Sequence, residues 1–560
     1  MRHIALALLL LWPSLSRAEL ATADRHMVAA AHPLAAAAGR DILRAGGSAV
    51  DAAIATQLVL TLVEPQAAGI GGSAFIVHYD KAANRVITYD GRETAPEAAK
   101  PWMFLGPAGQ PLPYDRAAVG GISVGVPGML RAFELAYRAH GKLAWSDLFE
   151  PAIKLAEAGF RVSPRLGYSI SANPLLTRDN EARDYFYMSG GVALSAGSPR
   201  RNPDLAAVLR RVARDGAGAF YSGEIAAGIV RAVQSGANPG SLTVADLAGY
   251  RAVVREPVCG PYRRWKVCSM GPPSSGGIAV LQILGLLERF DMAAAKPGEA
   301  LGAHLLAEAG RLAFADRDRY VADADFVPWA AGLLDRAYLA QRSRLITVQK
   351  ALGLALPGTP PERRGEIRFL PWPQYESTGT SQVSVVDAAG NAVSMTASVG
   401  DAFGARLFTQ GFILNNELSD FNASPMVNGE SVANRVEPGK RPRSSMAPTL
   451  VFDESGALVL SVGSQGGPRI IGFVAKMLVA ALDWNLDMQA AIDLPHILNR
   501  NGTTELEDGA NRPGLKAALE GLGHQVTLGP IDSGQQGIKM VNGKLTGGGD
   551  RRREGVALGD

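Results

Sequence analysis

Cysteine is nearly absent: Cys259 and Cys268 are the only two in 560 residues, which excludes a small scaffold held by a disulfide framework. Neither residue belongs to a CxxC redox pair or a zinc-knuckle spacing. Charge is also scarce. Asp, Glu, Lys and Arg make up 19% of the chain, below the roughly 25% of an average soluble protein. Hydrophobic residues reach 47%, so there is material for a large core and global disorder is excluded. Lys plus Arg exceed Asp plus Glu by only 3; the basic excess that phosphate backbones call for is missing, and nucleic acid is not an expected partner. No apolar run approaches the ~20 residues of a bilayer-spanning helix. The eight histidines are scattered without HExxH or paired-ligand spacing, so neither a metal site nor a cofactor is expected.

What is present begins with Met1-Arg2-His3, a short apolar run to Trp12, and Pro13 followed by Ser16-Arg17-Ala18. This is the pattern of a signal peptide over residues 1–18, which implies a periplasmic or secreted protein; the alternative is an uncleaved anchor or a buried N-terminal helix. Around the cysteines, residues 258–270 read as two short strands, and a two-residue turn at Arg263-Arg264 would set Cys259 opposite Cys268. A cross-strand disulfide follows in an oxidising compartment, with two buried free thiols as the alternative.

The length allows three or four domains of about 150 residues, or one large α/β unit. Residues 34–62 suggest two helices around Gly46-Gly47, followed by a Gly/Pro-rich loop and strands at 74–79 and 85–89. Further helices are expected at 129–137, 204–214 and 302–314. Five prolines fall within residues 357–373, a composition that sustains neither helix nor central strand. It reads as an exposed connector, after which strands at 380–387 and 392–398 open a second half. The C-terminal Gly547-Gly-Gly-Asp-Arg-Arg-Arg553 reads as a solvated charge run.

Gly121-Ile-Ser-Val-Gly125 has the form of a nucleophile elbow, but a poor strand precedes it and Val126-Pro-Gly128 interrupts any helix after it. Gly69-Ile-Gly-Gly72 does not complete a dinucleotide fingerprint. The informative junction is Gly379-Thr380, where connector becomes strand. A threonine hydroxyl there can attack the carbonyl before it, and after cleavage its free amine can serve as base to its own hydroxyl. A turn centred between Ala389 and Gly390 would put Ser398 opposite Ser381 and beside Thr380. On spacing alone the threonine reads first as an ordinary β-former, and the nucleophile reading needs further support.

A set of ordered motifs carries the reading further: Gly46-Gly-Ser-Ala-Val-Asp-Ala-Ala53, Val63-Glu-Pro-Gln66, Arg92-Glu-Thr-Ala-Pro96, Pro272-Pro-Ser-Ser-Gly-Gly277, Ala313-Phe-Ala-Asp-Arg317, Asn415-Asn-Glu-Leu-Ser-Asp420, Lys440-Arg-Pro-Arg-Ser-Ser-Met446 and Gly463-Ser-Gln-Gly-Gly467. With these the chain resembles the gamma-glutamyltranspeptidase family of N-terminal nucleophile hydrolases along essentially its whole mature length. The resemblance implies a four-layer αββα sandwich cut into a large subunit, 19–379, and a small one, 380–560. It implies Thr380 as nucleophile, Ser398 as helper hydroxyl, and Gly466 and Gly467 as the oxyanion hole. Arg92, Ser444 and Ser445 would hold the substrate's α-carboxylate, Glu417 and Asp420 its α-ammonium group, and the substrate would be a γ-glutamyl compound such as glutathione.

Three departures bear on the substrate. Gly400 stands where the family usually has asparagine or a carboxylate, Gln382 replaces a common histidine, and residues 421–440 are too few for a full lid, which implies an open cleft. An acylase of the same fold acting on glutaryl or cephalosporin side chains is therefore the second reading. An unprocessed paralogue that binds γ-glutamyl compounds without turnover is the third.

Overall fold

The computed structural model describes residues 20–236, 238–361, 379–509 and 514–560. The leader expected over residues 1–18 lies outside them, as does most of the connector expected over residues 357–373, from 362 onward. Among the described residues no helix is long and apolar enough to cross a membrane.

Two seven-stranded sheets lie face to face. One runs, edge to edge, Val556–Gly559, Met27–Ala30, Gly379–Val386, Ala392–Gly400, Ser73–Asp80, Arg85–Asp90 and Val253–Arg255; the other runs Ala21–Ala23, Lys544–Gly549, Gln536–Val541, Leu458–Gly463, Thr449–Phe452, Trp265–Ser269 and Val258–Tyr262. Helices Pro33–Arg44, Ala49–Val63 and Met129–His140 cover the first sheet, while Gly276–Leu287, Ala300–Tyr320 and Ile470–Leu482 cover the second. The result is the expected α-β-β-α stack. Segments from both sides of the connector contribute to both sheets, so the expected second half is not a separate unit. It is interleaved with the first.

The helix Ala49–Val63 is buried along its whole length, which its Ala/Val/Leu/Ile composition permits, and a Ser48/Asp51 capping box starts it. It supports the strand Gly379–Val386 from outside. The inner face of that strand is polar. Gln382 accepts from Thr396 Oγ1 at 2.6 Å and donates to Ser394 Oγ at 3.0 Å, while Ser394 Oγ donates to the Val462 carbonyl of the facing sheet at 2.8 Å. Gln382, where histidine was the common residue, thus takes part in bonding at the middle of the sandwich. Burying amide and hydroxyl groups is tolerable because they are paired.

The hairpin differs from the sequence reading by one residue. Thr380 faces Ser398 directly and Ser381 faces Ala397. The cause is Asp387, whose carboxylate accepts from the Ala389 and Asn391 N–H groups at 2.9 Å, and whose own N–H donates to the Asn391 carbonyl. This closes a three-residue loop where a four-residue turn was expected. Cys259 faces Cys268 across the Arg263-Arg264 turn, joined as a disulfide. The C-terminal basic run is not a solvated face: Asp550 is buried, Arg552 pairs with Glu507 and Asp550, and Arg553 with Asp532.

Asp387 also accepts from the Ala49 N–H at 3.1 Å and so ties the hairpin turn to the start of the supporting helix. Asp387→Ala removes a buried charged acceptor of several N–H groups and is expected to cost about 3 kcal/mol. Urea denaturation measures this; a loss below about 0.5 kcal/mol would contradict the assigned role.

Candidate active site

Strand alternation and the hairpin loop bring Thr380 and Ser398 together at the end of the central strands. Thr380 Oγ1 donates to Ser398 Oγ at 3.3 Å, and Ser398 Oγ donates to the Gly379 carbonyl at 2.9 Å while accepting from the Gly400 N–H at 2.8 Å. The hydroxyl of Thr380 is thereby joined, through one intermediate hydroxyl, to the carbonyl that precedes it. Gly379 is sterically required, since a methyl there would run into the Asp401 carbonyl and lie 2.9 Å from that of Gln66.

Thr380 and Ser398 line a small, partly open concave site with Arg92, Glu417, Asp420, Ser444, Ser445 and Gly467. Eight of the nine catalytic and substrate-binding residues proposed from sequence therefore share one cavity. Gly466 is not among the lining residues; a Cβ on it would overlap the Phe473 ring. Gly466 and Gly467 have φ of 130° and 57°, conformations open to glycine at little cost. Among the described residues no acceptor takes their N–H groups.

One side of the cavity is acidic. The Arg92 guanidinium lies 2.6 Å from Glu417 and 2.5 Å from Asp420, and its Nε donates to the Pro442 carbonyl at 3.1 Å. Burial, with the neighbouring Glu417 charge and against the pull of Arg92, pushes the Asp420 carboxyl up to about 8. Burial and Glu417 likewise raise Glu93, which lies beneath Arg92 and is fully enclosed. Two or three carboxyls around one guanidinium leave a surplus acceptor that suits an ammonium group.

Gly400 leaves no vacancy. Its φ is +96°, and a Cβ there would overlap Asn416 Oδ1, which accepts from the Asp401 N–H at 2.8 Å. A side chain from the neighbouring segment fills the space.

Sequence reading assigned no role to several residues that support the site. Ser381 Oγ donates to the fully buried Glu64 at 2.9 Å; Glu64 in turn faces Arg165 at 3.9 Å, and Arg165 and Arg553 both hold Asp532. Arg317 reaches Ser445 and Ser275. For Glu64 the available signal was a carboxylate directly after the apolar Leu62-Val63; Arg317, within Asp316-Arg-Asp-Arg319, looks like part of an ordinary charged helix end and gave none. By contrast, Ser123 of the elbow-like motif donates to the Ala118 and Gly120 carbonyls within its own turn.

Facing sheets between helical layers, with a hydroxyl residue opening a central strand, define the N-terminal nucleophile hydrolase class. Residues 35–560 match the family model described as Gamma-glutamyltranspeptidase. The chain is 36% identical over 544 residues to the glutathione hydrolase proenzyme of Bacillus subtilis (strain 168), covering 95% of this chain and 91% of that one. It is 35% identical over 552 residues to the Acylase ACY 1 proenzyme of Pseudomonas sp. (strain V22), covering 96% and 94%. The cephalosporin acylase structure from Bacillus halodurans superposes with a TM-score of 0.85 at 28% identity, over 98% of both chains. The chain belongs to the gamma-glutamyltranspeptidase family, and it is an enzyme.

If Asn416 excludes a side chain at position 400, Gly400→Asn lowers the melting temperature, and Gly400→Asn with Asn416→Gly recovers most of the loss. Differential scanning calorimetry reads both; additive losses in the double variant would contradict the packing argument.

Proposed function

We propose that this protein is an exported γ-glutamyltransferase and glutathione hydrolase that matures by cutting its own Gly379–Thr380 bond. The observation that carries the proposal is the chain of hydroxyls from Thr380 through Ser398 to the Gly379 carbonyl. In maturation, Thr380 Oγ1 attacks the Gly379 carbonyl carbon while Ser398 relays the proton. The C–N bond breaks, the nitrogen leaves protonated, and the peptide becomes an ester. Water hydrolyses that ester, leaving a carboxylate on Gly379 and a free amine and hydroxyl on Thr380. The products are a large subunit, 19–379, and a small subunit, 380–560.

In turnover the new amine accepts the hydroxyl proton as Thr380 attacks the γ-glutamyl carbonyl. Gly466 and Gly467 N–H groups bind the oxyanion, and the departing amine takes the proton. Water or an amino acid then releases the γ-glutamyl group from the threonyl ester. Ser444 and Ser445, with Arg92, hold the α-carboxylate, and Glu417 and Asp420 hold the α-ammonium.

The second reading, a glutaryl or cephalosporin acylase, draws on Gly400, which contributes no side chain to the ammonium subsite, and on the acylase names among the relatives. Glu417 and Asp420 weigh against it, because a glutaryl group has no cation for them.

γ-Glutamyl and glutaryl p-nitroanilides separate the readings: the account predicts at least about tenfold higher kcat/KM for the first, from loss of one ammonium–carboxylate contact. Equal rates would overturn glutamyl specificity. Asp420, with its carboxyl near 8, carries its proton below that pH and gains charge above it. KM for the γ-glutamyl anilide therefore falls as pH rises from 7 to 9, whereas KM for the glutaryl anilide does not. Parallel KM profiles, or a profile unchanged in Asp420→Asn, would contradict the ammonium role.

A further inference from the structure

Ser444 and Ser445 line the same cavity as Arg92, Glu417 and Asp420, and the segment that carries them is held by residues far away in sequence. The Ser275 N–H and Ser275 Oγ both donate to the Ser444 carbonyl, at 2.8 and 2.7 Å. Ser274 Oγ donates to the Met446 carbonyl at 2.6 Å, and the Ser444 N–H donates to the Pro273 carbonyl at 3.0 Å. Arg317, 2% exposed on the helix Ala300–Tyr320, bonds both parts of this clamp: its Nε donates to Ser275 Oγ at 2.8 Å and its Nη2 to Ser445 Oγ at 2.7 Å.

The direction of these bonds matters. A serine hydroxyl has one hydrogen to give and can accept from others. Ser445 Oγ accepts from Arg317, so its own hydrogen is not committed to that contact. Ser444 Oγ similarly accepts from the Met446 N–H at 3.1 Å. Among the described residues no acceptor receives either hydroxyl hydrogen, and both side chains line the cavity. Two O–H donors therefore face the site side by side. A guanidinium donor also polarises the Ser445 hydroxyl and strengthens it as a donor.

We propose that Arg317 is the positioning residue of the carboxylate subsite: through Ser445 and Ser275 it fixes the two serines as donors, and it thereby selects acyl groups that carry a carboxylate at their far end. This rests on the carboxylate reading of Ser444 and Ser445 given above and adds the residue that enforces it. Lysine is not equivalent, because one ammonium cannot reproduce the fixed geometry of Nε on Ser275 and Nη2 on Ser445.

The test uses three p-nitroanilides with the same reacting carbonyl: γ-glutamyl, glutaryl, which lacks the ammonium, and 4-aminobutyryl, which lacks the carboxylate. The full-length protein is compared with Arg317→Gln, Arg317→Lys, Ser445→Ala and the double variant Arg317→Gln/Ser445→Ala. Arg317→Gln is expected to raise KM for the γ-glutamyl and glutaryl substrates by about 10- to 100-fold, the range of a lost charge-assisted hydrogen bond, and to leave kcat/KM for 4-aminobutyryl within about twofold. Arg317→Lys should fall between wild type and Arg317→Gln. The double variant should match the worse single variant, because both changes remove the same interaction.

A uniform loss on all three anilides, or additive effects of Arg317→Gln and Ser445→Ala, would overturn the proposal. If Arg317→Gln does not yield folded protein, Arg317→Lys decides in its place, since it must show a carboxylate-selective loss; an equal loss on all three anilides would overturn the proposal. Wild-type protein that turns over 4-aminobutyryl as well as γ-glutamyl anilide removes the carboxylate subsite itself, together with this inference. A failure confined to Arg317 leaves the wild-type preference standing.

Discussion

The hydrogen bond from Thr380 to Ser398 spans 3.3 Å between neighbouring strands, and the Ser398 hydroxyl continues it to the Gly379 carbonyl. Every level of the fold bears on that line of three groups. Asp387 sets the hairpin loop and hence which residue faces Thr380. The buried helix Ala49–Val63 backs the strand, and paired Gln382, Ser394 and Thr396 hold the sheets together just beyond the nucleophile. Slip the register by one residue and Ser398 would face Ser381, whose side chain points away from the cavity to Glu64.

The cavity wall offers both acceptors and donors. Glu417 and Asp420 supply carboxyl oxygens; Arg92, which both carboxyls hold, and Ser444 and Ser445, with hydroxyls backed by the Met446 N–H and Arg317, supply donors. Together they complement a group bearing an ammonium and a carboxylate on one carbon, which is the far end of a γ-glutamyl chain. In the proposed chemistry, Thr380 and the glycine N–H groups need no contribution from that end of the substrate. This separation explains how relatives of similar sequence carry both hydrolase and acylase names.

Much of this was legible in the sequence because it depends on local pattern. Composition pointed to a large core but left three or four domains or one large α/β unit open, and the Gly379-Thr380 junction offered a candidate nucleophile that only the family resemblance raised above an ordinary strand threonine. Arg92, Glu417, Asp420, Ser444 and Ser445 were placed by ordered motifs, and they converge on one cavity. What failed to show depends on side chains reaching across the fold. The loop closed by Asp387 shortened the hairpin by one residue, because an Asx-type bond draws the chain into a tighter loop than the four-residue turn expected from spacing alone. Gly400 looked like a missing contact until Asn416 was seen to occupy its space. The C-terminal arginines looked solvated because their partners Asp532 and Glu507 lie 21 and 45 residues away. Arg317 sits 128 residues from the serine it touches, a distance at which a single sequence carries no pairing information.

The most direct test of the central claim is the intact mass of the purified full-length protein beside its Thr380→Ala variant. The account predicts two polypeptides in the first, the smaller beginning at Thr380, and one unbroken chain in the second. A single unbroken chain in both would leave Thr380 without the free amine on which the proposed chemistry depends, and would contradict the account.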